Sequence, residues 1–271
     1  MEDGVQTRSY DLEQLDREAE EDRLAVQARA ALALELGHLK RRGVAPDMTL
    51  VDMGCGPGLL SEQFVQLVPD GDVIGVDADP KLLDQARARL AAAGLSNGRF
   101  VQAWADRTPL DADIADIAYA RFLLQHLPDP VAVVAEMARV VKPGGRVMIV
   151  DTDDGGLVVH PPVAGLRELL DGSHAGQAAM GGDRHVGRKL RAHLHAAGLV
   201  DIDVEVVPFT SEMVGMQTFV DICLGFKAQI VPPDVQSPDA VAATLARLHA
   251  LADDPTAFAQ TMAYIAVGHV R

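Results

Sequence analysis

The stretch Thr49-Leu50-Val51-Asp52-Met53-Gly54-Cys55-Gly56-Pro57-Gly58, with the helix-periodic run Leu59 to Val68 behind it, decides the reading of the fold. A short apolar run that enters a glycine-rich turn and leaves as a helix is a strand-turn-helix unit. Its glycines let the backbone approach a ligand that would clash with a Cβ. A dinucleotide fingerprint needs Gly-x-Gly-x-x-Gly, whereas here Gly58 follows Gly56 by two residues and Leu59 takes the next place, so the spacing argues against NAD or FAD. The loop also lacks the Gly-Lys-Ser/Thr end of a P-loop, so no triphosphate site is implied.

Outward from this loop the same unit repeats in pattern. Asp72 to Asp77 reads as a strand, and Pro80 to Ala93 as a helix stopped by Gly94. Gly98 to Ala103 and Ile114 to Ala120 read as strands three and four. A helix over Pro130 to Val141 is stopped by Lys142-Pro143-Gly144-Gly145, and Arg146 to Asp151 is a fifth strand. Such alternation predicts an α/β fold, a parallel sheet with helices on both faces. Ahead of it, Leu12 to Leu39 reads as amphipathic helix closed by Gly43 and Pro46, giving an N-terminal helical segment over 1–46 and a main domain over 47–271.

The alternation breaks after Asp151. Asp153 to Gly182, with His160-Pro161-Pro162 and one apolar helix at Val163 to Leu170, reads as an insertion over the sheet, a lid spanning about 153–186. A helix at Gly187 to Ala197 and a strand at Ile202 to Val207 follow. Met213 to Gln229 is a second apolar helix outside the alternation, a lid helix within about 211–230. Another helix is expected at Ala240 to Ala252, and Phe258 to Val267 as a final strand antiparallel beside the previous one.

The 271 residues are 48% hydrophobic and 23% charged, enough apolar surface for a core. The formal net charge of −15 repels polyanions, which excludes nucleic acid and an acidic membrane surface as expected partners. Cys55 and Cys223 cannot build a disulfide framework, and Met1-Glu2-Asp3-Gly4 begins no signal sequence, so a cytoplasmic location is expected. No run reaches the roughly 18 apolar residues of a membrane span.

Asp52-x-Gly-x-Gly-x-Gly58, the acid Asp77 ending the second strand in Gly75-Val76-Asp77-Ala78-Asp79, and the stretch from Arg121-Phe122-Leu123-Leu124-Gln125-His126 to Arg139-Val140-Val141-Lys142-Pro143-Gly144-Gly145 together resemble the class I S-adenosylmethionine-dependent methyltransferases. The resemblance covers Thr49 to about Asp151. It implies a Rossmann-like sheet of seven strands, the last antiparallel, with S-adenosylmethionine across the ends of strands one, two and four. It places Asp52, Gly54, Gly56 and Gly58 at the methionine and ribose, Asp77 and Ala78 at the ribose, and Arg121 at the methionine part. Family members often carry Asp-Ala after the third strand; this chain has Trp104-Ala105. Either Asp106 reaches back to the adenine amino group or the indole packs on the ring.

The expected reaction is methyl transfer to a small, lipophilic or aromatic molecule under a roof of Met213, Met216, Phe219, Leu224 and Phe226, with a homodimer left open. The alternatives are a fold that keeps the cofactor but catalyses another reaction, such as a cyclisation, or a binding protein without catalysis. The sulfonium already activates the methyl group, so alignment is the main task and a base matters only where the acceptor must lose a proton. His126, His160 and Asp151 are the candidates for that base. Asp151, Asp153 and Asp154 could offer hard oxygen ligands, but such runs are more often loops or caps, and no metal is expected.

Overall fold

A computed structural model of the chain describes Gly37 and residues 39–271. Most of the helix expected over Leu12 to Leu39 therefore lies outside the described residues. The elements run β1 (Thr49–Met53), α1 (Leu59–Leu67), β2 (Asp72–Asp77), α2 (Pro80–Ala92), β3 (Gly98–Gln102), β4 (Ala115–Arg121), α3 (Pro130–Val140) and β5 (Val141–His160). There follow α4 (Leu166–Ala179), α5 (Leu190–Ala196), β6 (Val200–Thr210), α6 (Ser211–Val214), α7 (Met216–Gln229), α8 (Pro238–Ala250) and β7 (Phe258–His269).

Among the described residues seven strands form one sheet in the order β3-β2-β1-β4-β5-β7-β6. Strands β1 to β5 pair in parallel, and β7 runs antiparallel to both β5 and β6. The final strand thus lies between its two predecessors in space. The strand order reverses at β1, so a crevice opens where the carboxyl ends of β1 and β4 diverge, the usual ligand position in open α/β sheets.

Local chemistry sets the elements. Asp79 caps α2 by accepting from the Lys81 N–H at 2.8 Å, and Asp129 caps α3 through the Ala132 N–H at 3.1 Å, each with proline in the next position. Gly58 enters α1 with φ at 76°, and a Cβ there would lie 2.7 Å from the Cβ of Ala86 on α2. Glycine at this turn therefore allows both the left-handed backbone and the close approach of two helices. Phe64 of α1 and Tyr119 of β4 are fully buried and meet edge-to-face at 5.1 Å. Helices α1 and α2 cover this face of the sheet, while Val133, Val134 and Met137 of α3 and Leu190 and Leu194 of α5 cover the other.

The fifth strand does not stop at Asp151. It continues through the expected start of the insertion to His160, because β7 supplies pairing partners from Arg146↔His269 to His160↔Phe258. The extra residues are taken up by a bulge between Asp153 and Val158. Lys142 to Gly145 likewise belong to β5 rather than to a loop, and the Gly144 N–H donates to the Val270 carbonyl at 2.9 Å. The expected helix at Met213 to Gln229 is interrupted at Gly215, which separates α6 from α7.

The protruding β5–β7 ribbon carries a third core. Leu169 of α4, Phe219 and Leu224 of α7, and Val241 and Leu248 of α8 bury against Leu157, Val159 and Ala259. The chain packs so closely here that a Cβ on Gly176 of α4 would lie 1.9 Å from the Ile230 carbonyl oxygen. Glycine to alanine in an open helix interior stabilises by about 1 kcal/mol. We expect Gly176→Ala to do the reverse and lower stability by about 1–3 kcal/mol, because backbone must move. Chemical denaturation of the variant measures the sign; a stabilised protein would show that α4 and the end of α7 do not touch.

Candidate cofactor and acceptor site

The loop after β1 and the acid ending β2 form one unit. The Gly54 and Cys55 N–H groups donate to the Val76 carbonyl at 2.8 and 3.0 Å, folding the loop back onto β2. Asp77 receives the Gly56 N–H on one oxygen at 2.8 Å and the Asp79 N–H on the other at 2.9 Å. Burial pushes the Asp77 carboxyl up, against the pull of these N–H groups. A Cβ on Gly56 would meet nothing within 4 Å among the described residues, which leave open space beside the Asp77 carboxylate. That open cradle, with an acid fixed at its edge, fits the ribose and methionine portions that the family places here.

Asp52 is buried and accepts from the Ser61 hydroxyl at 2.6 Å, which ties α1 to the strand that launches the loop. Ala78 continues directly from Asp77. The Ala103 N–H donates to the Asp77 carbonyl at 3.0 Å, which sets Trp104, Ala105 and Asp106 at the same edge. Trp104 is 40% exposed, a rim aromatic at the start of a tight turn closed by Arg107. Arg121 ends β4, one residue past the Met53↔Ala120 pair, with its guanidinium 4.4 Å from the centre of the Phe122 ring. Leu123 closes this side: a Cβ on Gly54 would lie 2.9 Å from its side chain. Burial, then Asp52 and Asp77, raise the Cys55 thiol well above its ordinary value, so this cysteine is no nucleophile.

The base candidates separate. His126 closes a 3-10 turn at Leu124–His126; its Nδ1 lies 3.2 Å from the Gln177 Nε2 and its ring meets Phe226 edge-to-face at 5.5 Å. Asp151 is fully buried behind that turn, accepting the Gln125 N–H at 3.2 Å and the Thr152 N–H at 2.9 Å. It therefore positions the turn bearing His126. His160 is exposed at the far end of β5, paired with Phe258, whereas Asp151 pairs with Tyr264. Six β7 residues separate the two, about 20 Å at ~3.3 Å per residue, so His160 does not join the other two. Of the expected roof, Met213 is exposed, Met216, Phe219 and Leu224 belong to the helical core, and Phe226 reaches His126.

The neighbouring acids are occupied by cations. Asp153 holds Arg188 through two bonds of 2.6 Å. Asp154 holds Arg184 at 3.1 and 3.2 Å, His174 at 3.3 Å and Lys227 at 3.3 Å. Burial alone would raise the Asp154 carboxyl, but Lys227 and Arg184 hold it far below the usual range. His174, which has no evident partner in the sequence, thus has one in space. Lys227, the single basic residue in the apolar helix α7, escaped the sequence reading, although its isolation there was a signal.

Residues 50–145 match the family described as methyltransferase domain. The demethylmenaquinone methyltransferase of Lactococcus lactis is 32% identical over 123 residues, 45% of this chain and 49% of that protein. The chain spans between about a third and half of the length of the curated relatives it matches. Among solved structures, the YcgJ protein of Bacillus subtilis superposes with a TM-score of 0.59 at 20% identity, covering 86% of this chain and 96% of that one. Haemonchus contortus phosphoethanolamine N-methyltransferase 2, in complex with S-adenosyl-L-methionine, gives a TM-score of 0.62 at 18% identity over 99% of this chain and 61% of its own. Residues 50–145 are thus similar to a methyltransferase domain, and the seven-stranded sheet shares the fold of these solved structures.

Burial pushes the Asp151 carboxyl up to about 7. Its proton is held more tightly in the native state than in the unfolded chain, so stability is full below about pH 4 and declines as pH rises toward 7. Asparagine does not titrate, and its amide nitrogen faces one N–H that the carboxyl accepts. The stability advantage of the natural protein over Asp151→Asn should therefore shrink between about pH 4 and pH 7 in thermal unfolding. A gap that stays constant over this range would show Asp151 ionised throughout.

Proposed function

We propose that the chain binds S-adenosylmethionine in the crevice between the β1 loop and the β4 turn and transfers its methyl group to a small molecule held beneath α4 and α7. The observation that carries this reading is the fixed Asp77 carboxylate beside the open space at Gly56. Asp77 would hold the ribose hydroxyls, the loop Gly54 to Gly58 and Arg121 the methionine portion, and the rim at Trp104 to Asp106 the adenine. The cofactor supplies an activated methyl on a sulfonium.

The chain's own task is alignment. The cofactor would supply the methyl group, and an O–H or N–H acceptor would have to lose its proton. His126, on the turn beside the cofactor crevice, is the group placed to take it, with Asp151 positioning that turn and Gln177 meeting its Nδ1. Phe226 against the imidazole gives the acceptor site an apolar wall, which suits an aromatic or lipophilic body. The relative named for demethylmenaquinone supports an aromatic acceptor. Helices α4 and α7 serve as the lid over this site.

Incubation with methyl-labelled donor and a panel of phenols, amines and lipophilic acids tests the reading. Label should enter at least one organic acceptor. Asp77→Ala should raise the donor KM by the equivalent of about 1.5–3 kcal/mol, since a charge-assisted bond to the ribose is lost. An unchanged donor KM would show the ribose held elsewhere. Binding of the donor without any label transfer would favour a reaction other than methylation.

A further inference from the structure

The polar cluster where α4 and α7 meet β5 sets two basic side chains against one ion-paired carboxylate. Arg184 and Lys227 are both buried, and both lie against one carboxylate, Asp154. Among the described residues no second carboxylate lies within ion-pair distance of either cation. Arg184 makes one bond from each nitrogen, from Nε and Nη2 to Asp154 and from Nη1 to the Gln125 side-chain oxygen at 2.5 Å. Lys227 reaches the Cys223 carbonyl at 2.6 Å and Asp154 at 3.3 Å, and its third N–H has no partner among the described residues. An ammonium taken out of water with a hydrogen unbonded and its charge only half matched is costly unless something else meets it.

A second observation comes from the facing helix. Ser173 Oγ and Gln177 Oε1 on α4 are buried without a hydrogen-bond partner among the described residues. They lie one helical turn apart, on either side of His174, which reaches Asp154. Gln177 also donates through its nitrogen to the Gln125 carbonyl at 3.0 Å and meets His126 at 3.2 Å. Gln177 thus borders the turn that carries His126, and Lys227 connects to the same turn through Asp154, Arg184 and Gln125. Lys227 follows Phe226, whose ring is already against that histidine. Buried polar groups in native proteins are almost always paired, and a cluster that is not is a place for a polar guest.

We propose that Lys227, backed by the Arg184–Asp154 pair, binds a carboxylate on the methyl acceptor, so that the substrate is an acid with an apolar or aromatic body. The proposal rests on the methyl-transfer reading above and names its substrate class. The acid would take the remaining N–H of Lys227, with Ser173 or Gln177 bonding a second polar group of the same molecule. Its apolar body would lie along Phe226, placing the acceptor atom toward His126. A carboxylate matches one buried ammonium better than a phosphate, whose larger charge calls for more cationic partners.

The test uses matched acids and amides as probes: salicylate, 4-hydroxybenzoate, 4-hydroxyphenylacetate and octanoate, each beside its carboxamide. Calorimetric titration of the full chain, with and without saturating S-adenosylhomocysteine, measures each affinity. At least one acid should bind at least tenfold more tightly than its amide. Lys227→Arg should keep that preference, and Lys227→Met, which leaves Asp154 and Arg184 as a balanced pair, should abolish it while the protein remains folded. Amides bound as well as every acid, no binding by any probe, or an acid preference that survives in Lys227→Met would overturn the proposal. Failure to bind S-adenosylhomocysteine would count against the methyl-transfer reading instead, since the acid preference is also read without it.

Discussion

The carboxylate of Asp77 is the constraint on which the site depends. It is half-buried at the end of β2 and receives N–H groups from both directions, Gly56 across the crevice and Asp79 along its own chain. These bonds tie the β1 loop, the end of β2 and the start of α2 into one corner. Burial pushes the carboxyl up against the pull of those N–H groups. In the proposed function, hydroxyl groups of a ligand supply further donors to it.

A second electrostatic device joins α4 and α7 to the sheet. Asp154 sits on the part of β5 that runs past the parallel core, and its partners come from the segment after α4, from α4 itself and from α7. Losing this carboxylate would leave two cations uncompensated, a far larger penalty than losing any one surface pair. The same knot reaches Gln125 through Arg184, and Gln125 belongs to the turn that Asp151 holds. The position of these helices and the placement of His126 are therefore linked through Asp154, Arg184, Gln125 and Asp151, all buried.

The first half of the molecule could be read from its sequence because its determinants are local. Gly54, Gly56 and Gly58, the proline and aspartate caps at Asp79-Pro80 and Asp129-Pro130, and the apolar runs of β1, β2 and β4 each act within a few residues. The second half resisted for the opposite reason. Asp153-Asp154-Gly155-Gly156 carries the composition of a loop, and only pairing with β7, about a hundred residues later, makes it strand. The charges of Asp153 and Asp154 are answered by Arg188 and Arg184, and that answer cannot be seen in spacing. His160 looked chemical beside two prolines, but the long strand carries it away from the crevice. Lys227 stands alone among the apolar residues of α7, and only its packing against Asp154 of β5 shows it to be buried.

The central claim is that the β1 loop and Asp77 receive a single nucleoside joined to an amino acid and not a dinucleotide. Calorimetric titration of the full chain with S-adenosylhomocysteine and, separately, with NAD tests it most directly. The account predicts binding of S-adenosylhomocysteine in the micromolar range with no heat from NAD. Binding of NAD with none of S-adenosylhomocysteine would contradict it.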